Sequence, residues 1–262
     1  MRRLHLFEFT DQPWYPQVFR SIQADYLQFV ATRGAGHQYL VPLIRNALAQ
    51  AGTKDILDLC SGGTGPWIRL SEQLRQAGLS VHVTLTDKFP LPAAVKKWSA
   101  LNNQGVEYLP EPVDATQVPQ QLKGMRTMFE GFHHFKPGEA RQILQDACQK
   151  RAAIGIFEAS LPAPHGWLIF LLSPVLTLLG YLFSTPFITP RTWSRLLWTY
   201  LLPVVPLATC WDGWVSFLRV YSPAQLRELV KPLQSDGYRW EIGQASTGTP
   251  IFVFTYLLGY PL

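Results

Sequence analysis

The chain has 262 residues and a formal net charge of +5, a length that suits one large domain or one domain with an insertion. Hydrophobic residues make up 47% and charged residues only 16%, so the chain is a packed one whose surface is short of charge. No long basic run accompanies the positive balance, which argues against nucleic acid and leaves an anionic membrane surface or an acidic substrate.

Three scattered cysteines, Cys60, Cys148 and Cys210, have neither disulfide nor zinc spacing, so a reducing cytoplasm is expected and no metal site is. Glu8 and Asp11 interrupt any apolar run at the start, so no signal peptide is expected. Phe19, Ile22, Tyr26, Leu27 and Val30 recur at helical spacing, as do Leu40, Leu43, Ile44, Ala47 and Leu48. Residues 1–52 thus form a helical cap, either over a ligand pocket or simply over a sheet.

Thr53–Trp67 is the stretch around which the rest is organised. A buried strand (Ile56, Leu57, Leu59) leads through Asp58, Cys60 and Ser61 into a glycine turn, Gly62, Gly63 and Gly65, and a helix opens at Pro66. Glycine permits positive φ and a close backbone approach to a ligand, and proline suits a first helical position. The Asp58 carboxylate can accept from a ligand ammonium or organise the turn. Trp67, Leu70, Leu74 and Ala77 then make one helix face, and Val81, Val83 and Leu85 a strand ending at Asp87. Asp87 lies 22 positions beyond Gly65. That is where a nucleoside-binding strand–helix–strand unit places its ribose contact, and a carboxylate accepts from both hydroxyls of a diol.

A helix over 92–102 and a short strand over 106–109 follow. Asp114-Ala115-Thr116 is either a ligand loop or a helix cap. Met125–Glu130 is a strand entering Phe132-His133-His134-Phe135, Pro137 opens a helix, and Ala153–Phe157 is a strand ending at Glu158. This alternation predicts a parallel sheet covered on both faces. A helix from Pro223 and two strands, 238–245 and 251–257, close the chain. The connection between those strands has no room for a crossover helix, so they pair antiparallel.

Taken together, the glycine turn, the acid ending strand two, Asp114-Ala115 and the closing hairpin resemble class I S-adenosylmethionine-dependent methyltransferases over residues 53–159 and 222–258. The resemblance implies an α/β, Rossmann-like, seven-stranded, mostly parallel sheet with a terminal antiparallel hairpin, occupying 53–159 and 222–262. It implies S-adenosylmethionine held by Asp58, Cys60, Ser61, Gly62, Gly63, Gly65, Asp87, Lys88, Asp114 and Ala115. His133 and His134 match a His-containing segment after strand four and are the candidate bases. Asp11-Gln12-Pro13-Trp14, Asp58–Trp67, His133-His134 and Trp211-Asp212-Gly213 are similar to a bacterial methyltransferase-like group. Trp14, Tyr15, Asp212 and Arg219 are the substrate-side candidates. The departure from the family pattern is Cys60-Ser61, with one extra residue in the turn. A nicotinamide-dependent oxidoreductase is the main alternative, disfavoured by the closing hairpin, the missing G-x-G-x-x-G and the missing Tyr-x-x-x-Lys pair. A non-catalytic, membrane-associated nucleoside-binding module is the other.

Residues 160–221 are an apolar insertion. Between Ser160 and Pro190 there is no Asp, Glu, Lys or Arg, and a second apolar stretch, 196–211, follows Arg191 and Arg195. The first could span a bilayer, while the second is broken by Pro203 and Pro206. The expectation is a shallow helical hairpin over 165–210 at the inner face of the membrane. Trp167, Trp193, Trp198 and Tyr200 would sit at headgroup level and both arginines would face anionic lipid. A hairpin folded on the core or on a homodimer partner is the alternative. Trp211–Trp214 would then turn the chain back to the sheet. The acceptor is expected to be small and apolar or lipid-like.

Overall fold

The computed structural model describes residues 3–34, 36–63, 65–100, 105–162 and 166–262. Thr64 of the glycine turn, residues 101–102 of the expected helix and His165 at the head of the insertion lie outside them.

One seven-stranded sheet carries the fold, built from β1 (Asp55–Asp58), β2 (His82–Leu85), β3 (Val106–Tyr108), β4 (Met125–Phe129), β5 (Ile154–Ser160), β6 (Tyr238–Ser246) and β7 (Val253–Pro261). The order across the sheet is β3-β2-β1-β4-β5-β7-β6. The first five strands are parallel, whereas β7 runs antiparallel to both β5 and β6. A parallel sheet needs both faces covered, and two apolar layers do this. Helices α2 (Val41–Ala51), α3 (Trp67–Gln76) and α4 (Pro92–Ala100) cover one face through Ile44, Leu48, Trp67, Leu70 and Leu74 against Ile56, Val83, Met125 and Phe157. Helices α5 (Pro137–Gln149) and α9 (Pro223–Val230) cover the other, with Ile143, Leu144, Leu226 and Leu229 against Leu57, Met128, Ile156 and Leu257. Each of these large side chains contributes about 1.5–3 kcal/mol on burial.

The cap and the insertion form a third layer together. Helix α1 (Gln17–Arg33) packs Ile22 and Tyr26 against Tyr181 of α6 (Gly166–Ser184), Ile188, and Val205 of α8 (Val204–Arg219). The rings of Tyr26 and Tyr181 lie 4.2 Å apart, and those of Phe19 and Trp198 lie 4.8 Å apart.

The insertion departs from expectation at Trp211–Trp214, at Arg195 and at Trp198. The second arm is a short helix α7 (Trp193–Leu196), a π-helical turn (Leu197–Leu201) and then α8, with a 72° bend between the halves. Trp211-Asp212-Gly213-Trp214 is no turn but lies inside α8; Pro206 falls in that helix's first turn, where a missing N–H costs nothing. Arg195 does not face lipid. It is 3% exposed and donates to the carbonyls of Ile188 and Pro190 and to the Asp25 carboxylate of α1, because a buried guanidinium must find acceptors for its donors. Trp198 is likewise half-buried on Phe19 rather than at a headgroup position.

Candidate active site at the carboxyl edge of the sheet

The residues expected to hold a cofactor converge where β1, β2 and β3 end. Asp58 is fully buried, and its two carboxylate oxygens accept from the Ser61 and Thr127 hydroxyls, both at 2.6 Å. Burial raises its pKa to about 6. Of the two tasks open to Asp58, the geometry is that of organising the turn. Cys60, Gly62 and Gly65 all take positive φ, a conformation that costs glycine little and a cysteine more. Burial first, then Asp87 and Asp58, push the Cys60 thiol well above its ordinary range, so it is no thiolate nucleophile.

Asp87 stands beside the turn, its Oδ2 accepting the Gly62 N–H at 2.8 Å and its Oδ1 the Phe89 N–H at 2.8 Å. Each oxygen keeps a second lone pair, so the carboxylate can still accept from a diol. Tyr108, which the sequence did not single out, donates its hydroxyl to the Gly62 carbonyl at 2.9 Å. Asp114 accepts from the Thr116 N–H and hydroxyl and pairs with Lys88 at 2.7 Å. Those bonds hold its carboxyl down to about 2. Lys88 is thus a partner of Asp114, and Ala115 is buried next to it. Helix α1 closes over the turn from above: Gln28 donates to the Gly65 carbonyl at 3.3 Å, and a Cβ on Gly63 would come within 3.3 Å of the Ala24 methyl. The cap therefore covers the turn as well as the sheet.

A second group lies at the carboxyl ends of β4 and β5, under the N-terminal strap of residues 3–16. His133 is buried and bonded through Nδ1 to Glu158 Oε2 at 2.5 Å. Glu158 Oε1 accepts the Phe132 N–H at 2.6 Å. Burial acts to raise the Glu158 pKa, but the contact with His133 outweighs it and the carboxyl is held below its ordinary value. Glu130, at positive φ, accepts the Ala159 N–H and is pushed well up by burial and by Glu158. His134 is bonded to Asp11 Oδ1 at 2.7 Å.

Arg219 is 1% exposed and pairs with Glu8 Oε1 at 2.8 Å and Asp11 Oδ2 at 2.7 Å. Asp212 accepts the backbone N–H groups of Phe9 and Thr10 and the Gln23 amide. Tyr15 is buried with its hydroxyl on Gln23 Oε1. Three of the four substrate-side candidates are therefore buried fasteners of the strap, while Trp14 is 65% exposed. Glu8, Glu130 and Glu158 carry no role in the sequence reading. Their signal was their position, one in the strap and two at strand ends, with nothing local to tie them together.

No protein-family model matches the sequence, and no curated protein matches it. Solved structures do. PigF, solved with SAH, is similar at TM-score 0.53 and 15% identity, over 95% of this chain and 63% of that one. Human N-acetylserotonin methyltransferase in complex with SAM gives 0.49 and 13%, over 99% and 62%. LepI in complex with SAM gives 0.46 and 16%, over 83% and 46%. The chain spans about half the length of LepI and under two thirds of the other two. With the strand order above, the likeness to PigF shows the Rossmann-like fold of the class I S-adenosylmethionine-dependent methyltransferases.

Proposed function

We propose that the protein transfers a methyl group from S-adenosylmethionine to a small, apolar or lipid-like acceptor at the inner surface of a membrane. The observation that carries the cofactor is the meeting of the glycine turn with Asp87, and with Asp114 nearby, at one edge of the sheet. A diol-accepting carboxylate beside a close-approach backbone turn suits a nucleoside. PigF, of the same fold, was solved with SAH. The methyl group of a sulfonium is already activated, so the chain's task is alignment. A base is needed only for an acceptor that must lose a proton, and both histidines are engaged with carboxylates.

Support for a lipid surface comes from the insertion. The helical run Gly166–Phe187 is 22 residues long, and only 17% of its apolar window is buried inside the protein. Trp167, Leu171, Val175 and Phe183 are exposed along it, and Trp193, beside Arg191, is 87% exposed at the tip. A soluble surface rarely leaves so much apolar area open. The bend in the second arm suits a hairpin lying in the interface better than two straight spans. Labelled cofactor, offered with a lipid extract and separately with soluble metabolites, tests the reading. Label transfer to the lipid fraction is expected. Transfer only to soluble acceptors would remove the lipid part of the proposal, and no transfer to either would count against the activity.

A further inference from the structure

Glu8, His133 and His134 come together at the N-terminal strap. Glu158 accepts two backbone N–H groups and is an acceptor towards His133 as well. His133 Nδ1 is therefore the donor in that 2.5 Å bond, which leaves Nε2 as the ring nitrogen open to a ligand. That nitrogen is buried and makes no hydrogen bond among the described residues. It stands 3.7 Å from Glu8 Oε1, and the Glu8 side chain is 3% exposed. Two acceptors facing one another inside the protein repel unless a proton or a metal cation lies between them. The distance of 3.7 Å is too long for a hydrogen bond. It is close to the spacing of two donors on one tetrahedral ion, about 3.4 Å for bonds of about 2.1 Å.

His134 is placed differently: its Nδ1 is 3.7 Å from the other oxygen of Glu8 but is already hydrogen-bonded to Asp11 Oδ1 at 2.7 Å, so an ion held there through Nδ1 displaces that proton. One donor atom from each of Glu8, His133 and His134 lies within 4.8 Å of the others. The geometry points to a divalent transition-metal site of zinc type made by Glu8, His133 and His134. Glu158 holds the His133 ring from behind, as outer-shell carboxylates hold ligating histidines. Arg219 touches Glu8 Oε1, which leaves Oε2 and the remaining lone pair of Oε1 for the ion. Glu8, Asp11 and Glu158 set three carboxylates against the two guanidiniums of Arg219 and Arg3, so the carboxylates still outnumber the fixed cations beside a dication. Bound there, the ion fastens the N-terminal strap to the loop after β4.

The test is Zn2+ and Co2+ binding by the full chain, stripped with a chelator, shown folded by circular dichroism, and assayed without S-adenosylmethionine. Zn2+ is expected to remain at one equivalent after desalting. Co2+ is expected to give the visible band of a four- or five-coordinate nitrogen and oxygen site. His133→Ala and Glu8→Gln should each weaken Co2+ binding at least about tenfold, and Glu158→Gln, which spares the ligands, by about tenfold through loss of ring orientation. Glu8→Gln is close in shape to the native residue and carries the test if the His133 variant does not fold. Substoichiometric binding by folded wild type, or wild-type affinity in Glu8→Gln, overturns the site. Cofactor binding is a separate measurement, so failure of one reading is distinguishable from failure of the other.

Discussion

Asp87 and Gly62 meet through a 2.8 Å bond from the glycine N–H to the carboxylate, which ties the end of β2 to the turn after β1. In the proposed reading that carboxylate is also the ribose contact, so it would serve the turn and the ligand at once. Asp87→Ala removes a charge-assisted acceptor from both. S-adenosylmethionine affinity should fall by about 10- to 100-fold, since bonds to charged groups are worth about 1.5–3 kcal/mol. Calorimetry on the folded variant checks this, and an unchanged affinity would reduce Asp87 to a turn fastener.

Asp58 gives the chain a measurable pH signature. Burial raises its pKa from the usual aspartate value to about 6, so the folded protein holds that proton more tightly than the unfolded chain. Stability from this group is therefore highest near pH 4 and is lost as the pH rises through 6, by about 3 kcal/mol in all. Asp58→Asn has no such titration. Urea unfolding of both proteins from pH 3 to 7 should show wild type losing about that much relative to the variant, and parallel curves would contradict it.

Arg219 holds two carboxylates of the strap from inside the fold. Arg219→Met leaves the buried Glu8 carboxylate without its cation, which should cost about 3–5 kcal/mol. Denaturant unfolding reads the loss. A variant as stable as wild type would free Arg219 for the substrate role that the sequence suggested.

The exposed side of the insertion should hold the protein on lipid without supporting its fold. Leu171→Ser, Val175→Ser, Phe183→Ser and Trp193→Ser, combined, touch only exposed positions. Each large side chain lost from the interface forfeits up to about 1.5–3 kcal/mol of attachment. Flotation with anionic vesicles should be abolished while the melting temperature stays within a few degrees of wild type. Wild type that never floats, or a variant that floats equally well, would contradict the membrane reading. Attachment that survives high salt in wild type would point to apolar insertion rather than surface charge.

Much of the sheet was legible because its signals are local. Ile56-Leu57 before three glycines, the alternation of Val81, Val83 and Leu85, and the short link between the last two strands each predict an element that the structure contains. What was hidden depends on residues distant in sequence. Arg219 reads as a lone cation after an apolar helix until the fold brings Glu8 and Asp11 against it. Arg195 reads as a lipid-facing charge because nothing near it in sequence is acidic, yet Asp25 of α1 meets it across the third layer. Trp211–Trp214 reads as a re-entry turn because it follows the apolar stretch that ends at 211. A glycine costs a helix only about 1 kcal/mol, and burial of Val205, Ala208 and Val215 offsets that.

The central claim is that the turn after β1, with Asp87, holds S-adenosylmethionine. Isothermal titration of the folded wild-type chain with S-adenosylmethionine and with its demethylated product tests it most directly. The account predicts one site for each ligand and weaker heat for both in Asp87→Ala. Absence of heat with either ligand would contradict it, and heat with a nicotinamide dinucleotide in their place would assign the same turn to hydride chemistry.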